Sequence, residues 1–301
     1  MRAHRSGSKV PHELAFSTNR RRFLKLAAAA GVGAIGVDSV FFEPNRPEVV
    51  RQDLKLARWP AALDGFTVAL LSDFHYDPYF SEHPLHRAIP LVKGLNPDMI
   101  VLTGDFVSVP VISSDYEKAA AAAEPCAHIL KQMSAPYGLW AVLGNHDDAT
   151  DPARVAATLN ATGIPVLANK SVPIELKGSR FWLSGVNDVL SRTADLKETL
   201  AGIPRGEATI LMAHEPDYAD HTAKYPVDLQ LSGHSHGGQV RLPFLPPLYE
   251  PVLARKYFAG LYRVGPLTLY TNRGIGTTGL AIRWNCPPEV TLLTLRHDSA
   301  A

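Results

Sequence analysis

Five times along this 301-residue chain a short apolar run ends abruptly in a cluster of Asp, His, Asn or Gly, a recurrence that restricts the possible folds more than any other feature. Residues 66–71 run into Ser72-Asp73-Phe74-His75, and 99–102 into Thr103-Gly104-Asp105. Residues 139–143 run into Gly144-Asn145-His146-Asp147, 209–212 into Ala213-His214-Glu215, and 229–231 into Ser232-Gly233-His234-Ser235-His236. Short apolar runs bounded by turn formers read as buried strands. Between them, residues 83–93, 116–133 with its alanine stretch, 152–159 and 194–200 have helical character. Strands alternating with helices predict a layered α/β domain. Further on the helices give out, and residues 181–186, 267–271 and 290–295 read as strands, so part of the sheet is expected to be antiparallel. An alternating stretch closing on Leu54 and Leu56 predicts an edge strand. No internal repeat is present, and one domain over about residues 50–296 accounts for the pattern.

Composition removes several alternatives. A 46% hydrophobic share over 301 residues supports a full core, which rules out disorder, collagen and a small disulfide scaffold. The first 25 residues hold seven Lys/Arg and one Glu, leaving 23 basic against 28 acidic residues in the remainder. Such a body lacks the basic face that nucleic acid requires, so no nucleic-acid partner is expected. Cys126 and Cys286 lie far apart with no CxxC pairing and read as buried thiols.

At the front, Arg20-Arg21-Arg22-Phe23-Leu24-Lys25 precedes an Ala/Gly-rich run over residues 26–37, long enough for the apolar core of a signal and too short to span a bilayer alone. The order resembles a twin-arginine export signal, with Asn19 where Ser or Thr is usual. The bland alternative is a basic helix start leading into a buried Ala-rich helix. Ala34-x-Gly36 offers a small-residue cleavage site, whereas Phe41 and Phe42 would retain the segment as an anchor. Residues 1–42 are therefore expected to be a twin-arginine-type signal or N-terminal anchor and residues 43–301 the folded domain. The expected location is the periplasm, the cell envelope or the outer face of a membrane, reached through the twin-arginine export machinery.

In α/β sheets ligands bind beyond the carboxyl ends of strands, where loops distant in sequence converge. The side chains delivered there are Asp73, His75, Asp105, Asn145, His214, His234 and His236, all oxygen or imidazole donors suited to first-row metals. Seven donors exceed one tetrahedral ion, and with one bridging carboxylate they suit two metals. If the loops stay extended, Asp73 and His75 point one way, as do His234 and His236. Gly104, Gly144, Gly233, Gly237 and Gly238 would supply turns and close approach. Any one of these motifs is an ordinary turn or cap; the five in order, each closing an apolar run, are not.

These motifs, DxH at Asp73 and His75, GD at Gly104 and Asp105, GNHD from Gly144, a lone His214 and GHxH from Gly233, resemble the calcineurin-like metallophosphoesterase superfamily. The resemblance covers nearly everything after the signal. It implies an α/β fold, a four-layer αββα sandwich of two mixed β-sheets, and two divalent or trivalent metal ions, Mn, Fe or Zn. By resemblance, Asp73, His75 and His236 hold one ion and Asn145, His214 and His234 the other, with Asp105 bridging. His146 is the non-ligand catalytic histidine and Asp147 orients it. Residues 233–239, 254–257, 272–276 and 286–289 are similar to an exported bacterial phosphodiesterase branch of the YaeI/YkuE type. A purple acid phosphatase is disfavoured, since that group has a metal-binding Tyr where this chain has Ser108.

The activity so implied is phosphoester hydrolysis by direct attack of metal-activated hydroxide. His146 serves as general acid if Asp147 or a backbone group holds its other nitrogen and keeps the ring cationic. Arg255, Lys256 and Arg273, with Arg263, are candidate phosphate contacts or solvated surface charge. Pro243, Pro246 and Pro247 with Phe244, Leu245 and Tyr249 form either an apolar shelf for a lipid or sugar or an ordinary packed loop. His83, His86, His128 and His221 read as surface or capping residues, His4, His12 and His297 as terminal, and Tyr76 as lining the pocket or packing beside it. Two alternatives stand beside a phosphodiesterase. One is a pyrophosphatase for UDP-diacylglucosamine-type lipids. The other is a low-turnover, metal-bearing envelope-binding protein, against which His146 argues because gripping an anion needs no proton donor.

Overall fold

The computed structural model of the protein describes residues 20–110 and 115–299; His4 and His12 lie outside them. The chain divides into two compact units that meet at Val37 and Asp38. Among the described residues the first unit is helix α1 (Arg20–Val37), none of whose side chains is buried, so the alternative of a buried Ala-rich helix is not realised. Apolar residues beyond Val37 extend the stretch: Arg20–Asn45 is long and apolar enough to cross a membrane, a test that signal sequences also pass. The run is thus longer than residues 26–37 suggest.

The second unit begins at Asp38. Its elements run β1 (Glu48–Leu56), β2 (Phe66–Leu71), α2 (Glu82–Leu95), β3 (Met99–Leu102), α3 (Tyr116–Ala121), α4 (Ala123–Leu130), β4 (Leu139–Ala141), α5 (Asn145–Thr150), α6 (Pro152–Ala161), β5 (Lys170–Leu176) and β6 (Ser179–Gly185). They continue with α7 (Leu196–Leu200), β7 (Thr209–Met212), α8 (Ala219–Thr222), β8 (Leu229–Ser232), β9 (Gly260–Val264), β10 (Leu267–Thr271) and β11 (Glu289–His297). Two mixed sheets result, with strand orders β1-β11-β2-β3-β4 and β5-β6-β7-β8-β10-β9. In the first, β2, β3 and β4 are parallel and β11 runs antiparallel to β2. In the second, β6, β7, β8 and β10 are parallel, and β5 and β9 flank them antiparallel.

Side-chain alternation explains why the central strands are continuously apolar. Val68 and Leu70 of β2, with Met99 and Val101 of β3, point into a core shared with Phe181, Leu183, Ile210, Met212, Leu229 and Leu231 of the other sheet. The intervening Ala69, Leu71, Ile100 and Leu102 meet Leu85, Ile89 and Val92 of α2 and Cys126, Ala127 and Leu130 of α4 on the outer face. Across the molecule Leu211, Leu267 and Leu269 pack on Leu196 and Ala219. Helices, sheet, sheet and helices stack as four layers, the αββα arrangement, because each sheet must bury both faces. Each fully buried Leu, Ile or Phe contributes about 1.5–3 kcal/mol. Cys126 and Cys286 are free thiols, both buried. The carboxyl ends of β2, β3, β4, β7 and β8 carry the loops that build the site described next.

Candidate metal centre

Beyond β2 and β3 the backbone continues its pairing into the loops. Asp73 N–H donates to the Gly104 carbonyl at 3.0 Å, and the N–H groups of Phe74 and His75 both donate to Asp105 O at 2.8 and 2.9 Å. The loops are not extended. Asp73, His75, Asp105, His234 and His236 all have φ between 42° and 67°, which corrects the expectation that period-two alternation aligns each pair. Left-handed turns aim the side chains instead, at roughly 1–2 kcal/mol per non-glycine residue. Glycine is required where the loops touch. A Cβ on Gly144 would lie 2.3 Å from Asp105 Oδ1, and one on Gly233 1.8 Å from Ser72 Oγ.

Six of the seven expected donors fall into two buried triads, and the seventh, Asn145, opens α5 beside them. Ligand atoms of Asp73, His75 and His236 lie within 4.8 Å of one another, as do those of Asp105, His214 and His234. His75 Nε2 faces His236 Nε2 at 2.9 Å, and Asp73 Oδ1 is 3.4 Å from His236 Nε2. Asp105 stands between the groups, its Oδ2 at 3.3 Å from both His75 Nε2 and His214 Nε2, while its Oδ1 accepts from His146 N–H at 2.8 Å.

The opposite ring nitrogens of three of the four histidines are tied from behind, whereas His236 Nδ1 is buried without a partner. His214 Nδ1–H donates to the Thr103 carbonyl at 2.6 Å and His234 Nε2–H to the Val252 carbonyl at 2.9 Å. His75 Nδ1 meets Ser108 Oγ at 3.2 Å. The two carbonyl bonds fix tautomers that leave His214 Nε2 and His234 Nδ1 with free lone pairs, the arrangement typical of metal-binding histidines. Asn145 Oδ1 and His214 Nε2 are buried with no hydrogen-bond partner. A buried polar atom without a partner is costly, and a cation satisfies both.

Electrostatics agree with the donor set. Burial pushes His75 down to about 3, helped by His146, and His234 down to about 4, helped by His214, so both are unprotonated at neutral pH. Burial and neighbouring His75 likewise lower His236. Burial raises Asp73 to about 6. Burial also opposes ionisation of Asp105, yet the rings of His214, His146 and His75 hold it well below the carboxylate range. Burial disfavours a charge on His214, but Asp105 beside it raises that ring well above the imidazole range: the carboxylate calls for a positive partner here.

A family model for calcineurin-like phosphoesterases matches residues 66–238, the segment that carries every one of these donors. The chain belongs to that family. The phosphoesterase is 35% identical over 289 residues to the metallophosphoesterase YkuE of Bacillus subtilis, covering 93% of this chain and 99% of the relative. It is 33% identical to the phosphodiesterase YaeI of Escherichia coli (92% of this chain, 99% of the relative). It is 28% identical to the UDP-2,3-diacylglucosamine pyrophosphatase LpxG of Chlamydia trachomatis (85% and 91%). It is a phosphoester hydrolase by family, and the family binds two metal ions.

The remaining expected residues of the phosphoesterase fare differently. His146 lines the cavity and sits edge-on to His75, ring centroids 4.6 Å apart. Asp147 does not orient it. The Asp147 carboxylate is fully buried and accepts from the N–H groups of Asp105, Phe106, Val107 and Gly144 at 2.8–3.1 Å. Val109 N–H donates to His146 Nδ1 at 3.0 Å instead. A donor at that position suits the tautomer protonated at Nε2, so a backbone group and not Asp147 holds the other nitrogen.

None of the three basic candidates lines the cavity. Arg273 is committed to Glu289 and Glu48, both at 2.5 Å, and Lys256 is ion-paired with Asp220. Arg255 is exposed, its backbone N–H bonded to Asp217. Tyr76 packs in the outer core and donates to Glu82. Arg283, unremarked in the sequence, is fully buried and grips the carbonyls of Arg273, Gly274, Gly276 and Cys286. The clamped loop bonds back to the ligand turn, Ile275 N–H to Ser72 O and Gly276 N–H to Asp73 O. Its signal was there: Arg283 is the lone charge in residues 274–288.

Proposed function

We propose that the protein is a dinuclear metal-dependent phosphodiesterase acting outside the cytoplasm. The observation that carries the reading is the pair of buried triads meeting at Asp105, with Asn145 Oδ1 and His214 Nε2 buried and unpartnered. In this reading Asp73, His75 and His236 hold one ion, Asn145, His214 and His234 the other, and Asp105 bridges. Two such cations, Mn, Fe or Zn, supply Lewis acidity for the phosphoryl oxygens and a nucleophile from water near neutral pH. His146 contributes a hydrogen bond from Nε2 to charge developing on the leaving oxygen, a role that its Val109-fixed tautomer permits. Asp147 positions Asp105 through the backbone it binds. Residues 1–42 serve as a twin-arginine signal or anchor, supported by the Arg20-Arg21 pair ahead of an unburied apolar helix.

The test is elemental analysis of protein from its native compartment together with hydrolysis of bis(p-nitrophenyl) phosphate with and without Mn²⁺. Two ions per chain and turnover are expected. No turnover with Mn, Fe or Zn would overturn the reading in favour of a metal-bearing binding protein. A second reading, hydrolysis of a lipid-linked pyrophosphate of the UDP-diacylglucosamine type, draws support from the cavity itself. It measures about 490 Å³, and beyond the donors its walls are mostly apolar, with Val240, Leu248, Tyr249, Pro251, Leu280 and Ile282 beside the polar Ser235, Gln239 and Thr278. Such walls suit an acyl chain better than a sugar.

A further inference from the structure

We propose that the face surrounding the cavity mouth docks on a lipid bilayer, so that substrate is met at the membrane surface. Two loops frame that mouth. Residues 242–254 carry a single charged side chain, Glu250, and residues 274–282 carry none. Phe244 is wholly exposed, and Leu280, Tyr249 and Leu248 are each about two-thirds exposed, at 71%, 66% and 65%. Single exposed apolar residues are commonplace, whereas a contiguous set around a concavity marks an interaction surface. Contiguity follows from the cavity lining, because Leu248, Tyr249 and Leu280 are at once cavity wall and outer surface.

The patch continues past the cavity. The loop that gives Thr278, Leu280 and Ile282 to the catalytic cavity gives Thr277 and Ala281 to a second groove, shared with Val40, Phe41, Tyr79 and Phe80 and with the polar Asn45 and His83. Phe41, Tyr79 and Phe80 are themselves exposed. Val40 and Phe41 belong to the segment by which the chain enters this unit at Asp38, and Arg20–Asn45 is the stretch apolar enough for a membrane. A bilayer holding that stretch is tethered to this unit through Asp38, two residues before the groove's Val40. Aromatic and aliphatic side chains presented with little charge, here Glu250 alone in the two loops, are the composition that enters the headgroup boundary. A bilayer is therefore the occupant that the composition, the continuity with the cavity and the point of chain entry jointly select.

The substrate arm of the test rests on the phosphoesterase reading; the docking arm does not. Full-length protein reconstituted in phosphatidylcholine vesicles is compared with its Phe244→Ser/Leu245→Ser variant, whose changes lie outside the cavity lining and leave the N-terminal helix intact. Amides of residues 242–250 and 277–282 are expected to gain exchange protection in vesicles relative to detergent, and to lose that gain in the variant. Hydrolysis of hexadecyl p-nitrophenyl phosphate held in the vesicles is expected to fall about tenfold in the variant, the scale of two withdrawn apolar contacts, while soluble bis(p-nitrophenyl) phosphate is cleaved unchanged. Protection that rises with protein concentration in detergent, or that is equal with and without vesicles, overturns docking on lipid. Equal vesicle kinetics in both proteins does the same. Failure to cleave either ester refutes the phosphoesterase reading and leaves exchange to decide the surface.

Discussion

His146 and Asp147 are adjacent in the chain and face different tasks. The imidazole reaches the cavity with Nδ1 capped by Val109 N–H, so its useful proton is on Nε2. His146→Ala should therefore keep both ions by elemental analysis and lose about 10²- to 10³-fold in kcat on alkyl esters, with a smaller loss on p-nitrophenyl esters that need less help in leaving. An equal loss on both substrates would contradict the leaving-oxygen role. Asp147→Asn replaces an acceptor of four N–H bonds by an amide that points a donor at a donor. Each buried donor left unpaired costs about 1–3 kcal/mol, so chemical denaturation should show a loss of several kcal/mol and metal analysis fewer than two ions per chain. If Asp147 served only to orient His146, stability and metal content would not move. Residue identities made the donor set legible from the motifs alone, because only oxygen and imidazole groups recur at strand ends. Partners stayed hidden: Arg273 reads as a free cation until Glu48, 225 residues away, is placed beside it.

At the scale of elements, most strands visible in the sequence are the well-buried ones; the edge strand β1 shows only through the alternation that ends in Leu54 and Leu56. The two missed strands, β5 and β9, are the two edges of the six-stranded sheet, where half the side chains meet water and no apolar run forms; β5 even accommodates Pro173. The helix expected over residues 116–133 breaks after Ala121 because Pro125 lacks the N–H for that carbonyl and its ring crowds it. The Arg273–Gly276 loop owes its shape to Arg283, a cation buried among carbonyls. Arg283→Met removes those bonds and should destabilise the unit by several kcal/mol, since each buried carbonyl left without a partner costs about 1–3 kcal/mol. Because the loop donates to Asp73 and Ser72 backbone, the variant should also bind its ions more weakly in a metal titration, with Arg283→Lys recovering stability more fully than affinity. Unaltered metal affinity in a folded Arg283→Met protein would limit the clamp to stability.

On the scale of the whole unit, the donors divide by sheet. Asp73, His75, Asp105 and Asn145 follow strands of the five-stranded sheet, and His214, His234 and His236 follow strands of the six-stranded one. Each triad draws on both, since His236 joins Asp73 and His75 while Asp105 joins His214 and His234. Bound ions would therefore fasten the open end of the sandwich, whose shared core of Val68, Phe181, Ile210 and Leu293 fastens the rest. Ligands that bind only the folded state stabilise it by mass action, about 4 kcal/mol at a thousandfold excess over Kd, and a domain of this size shifts by roughly 2–4 °C per kcal/mol. Exhaustive chelation should accordingly lower Tm by about 10 °C in a single transition, and readdition of Mn²⁺ or Zn²⁺ should restore it. Asp105→Ala, which removes the carboxylate common to both groups, should start near the chelated value and respond little to added ion. A Tm indifferent to chelation, in protein shown by elemental analysis to have lost its ions, would mean that the sheets hold together without them and that the centre lies on the seam without tying it.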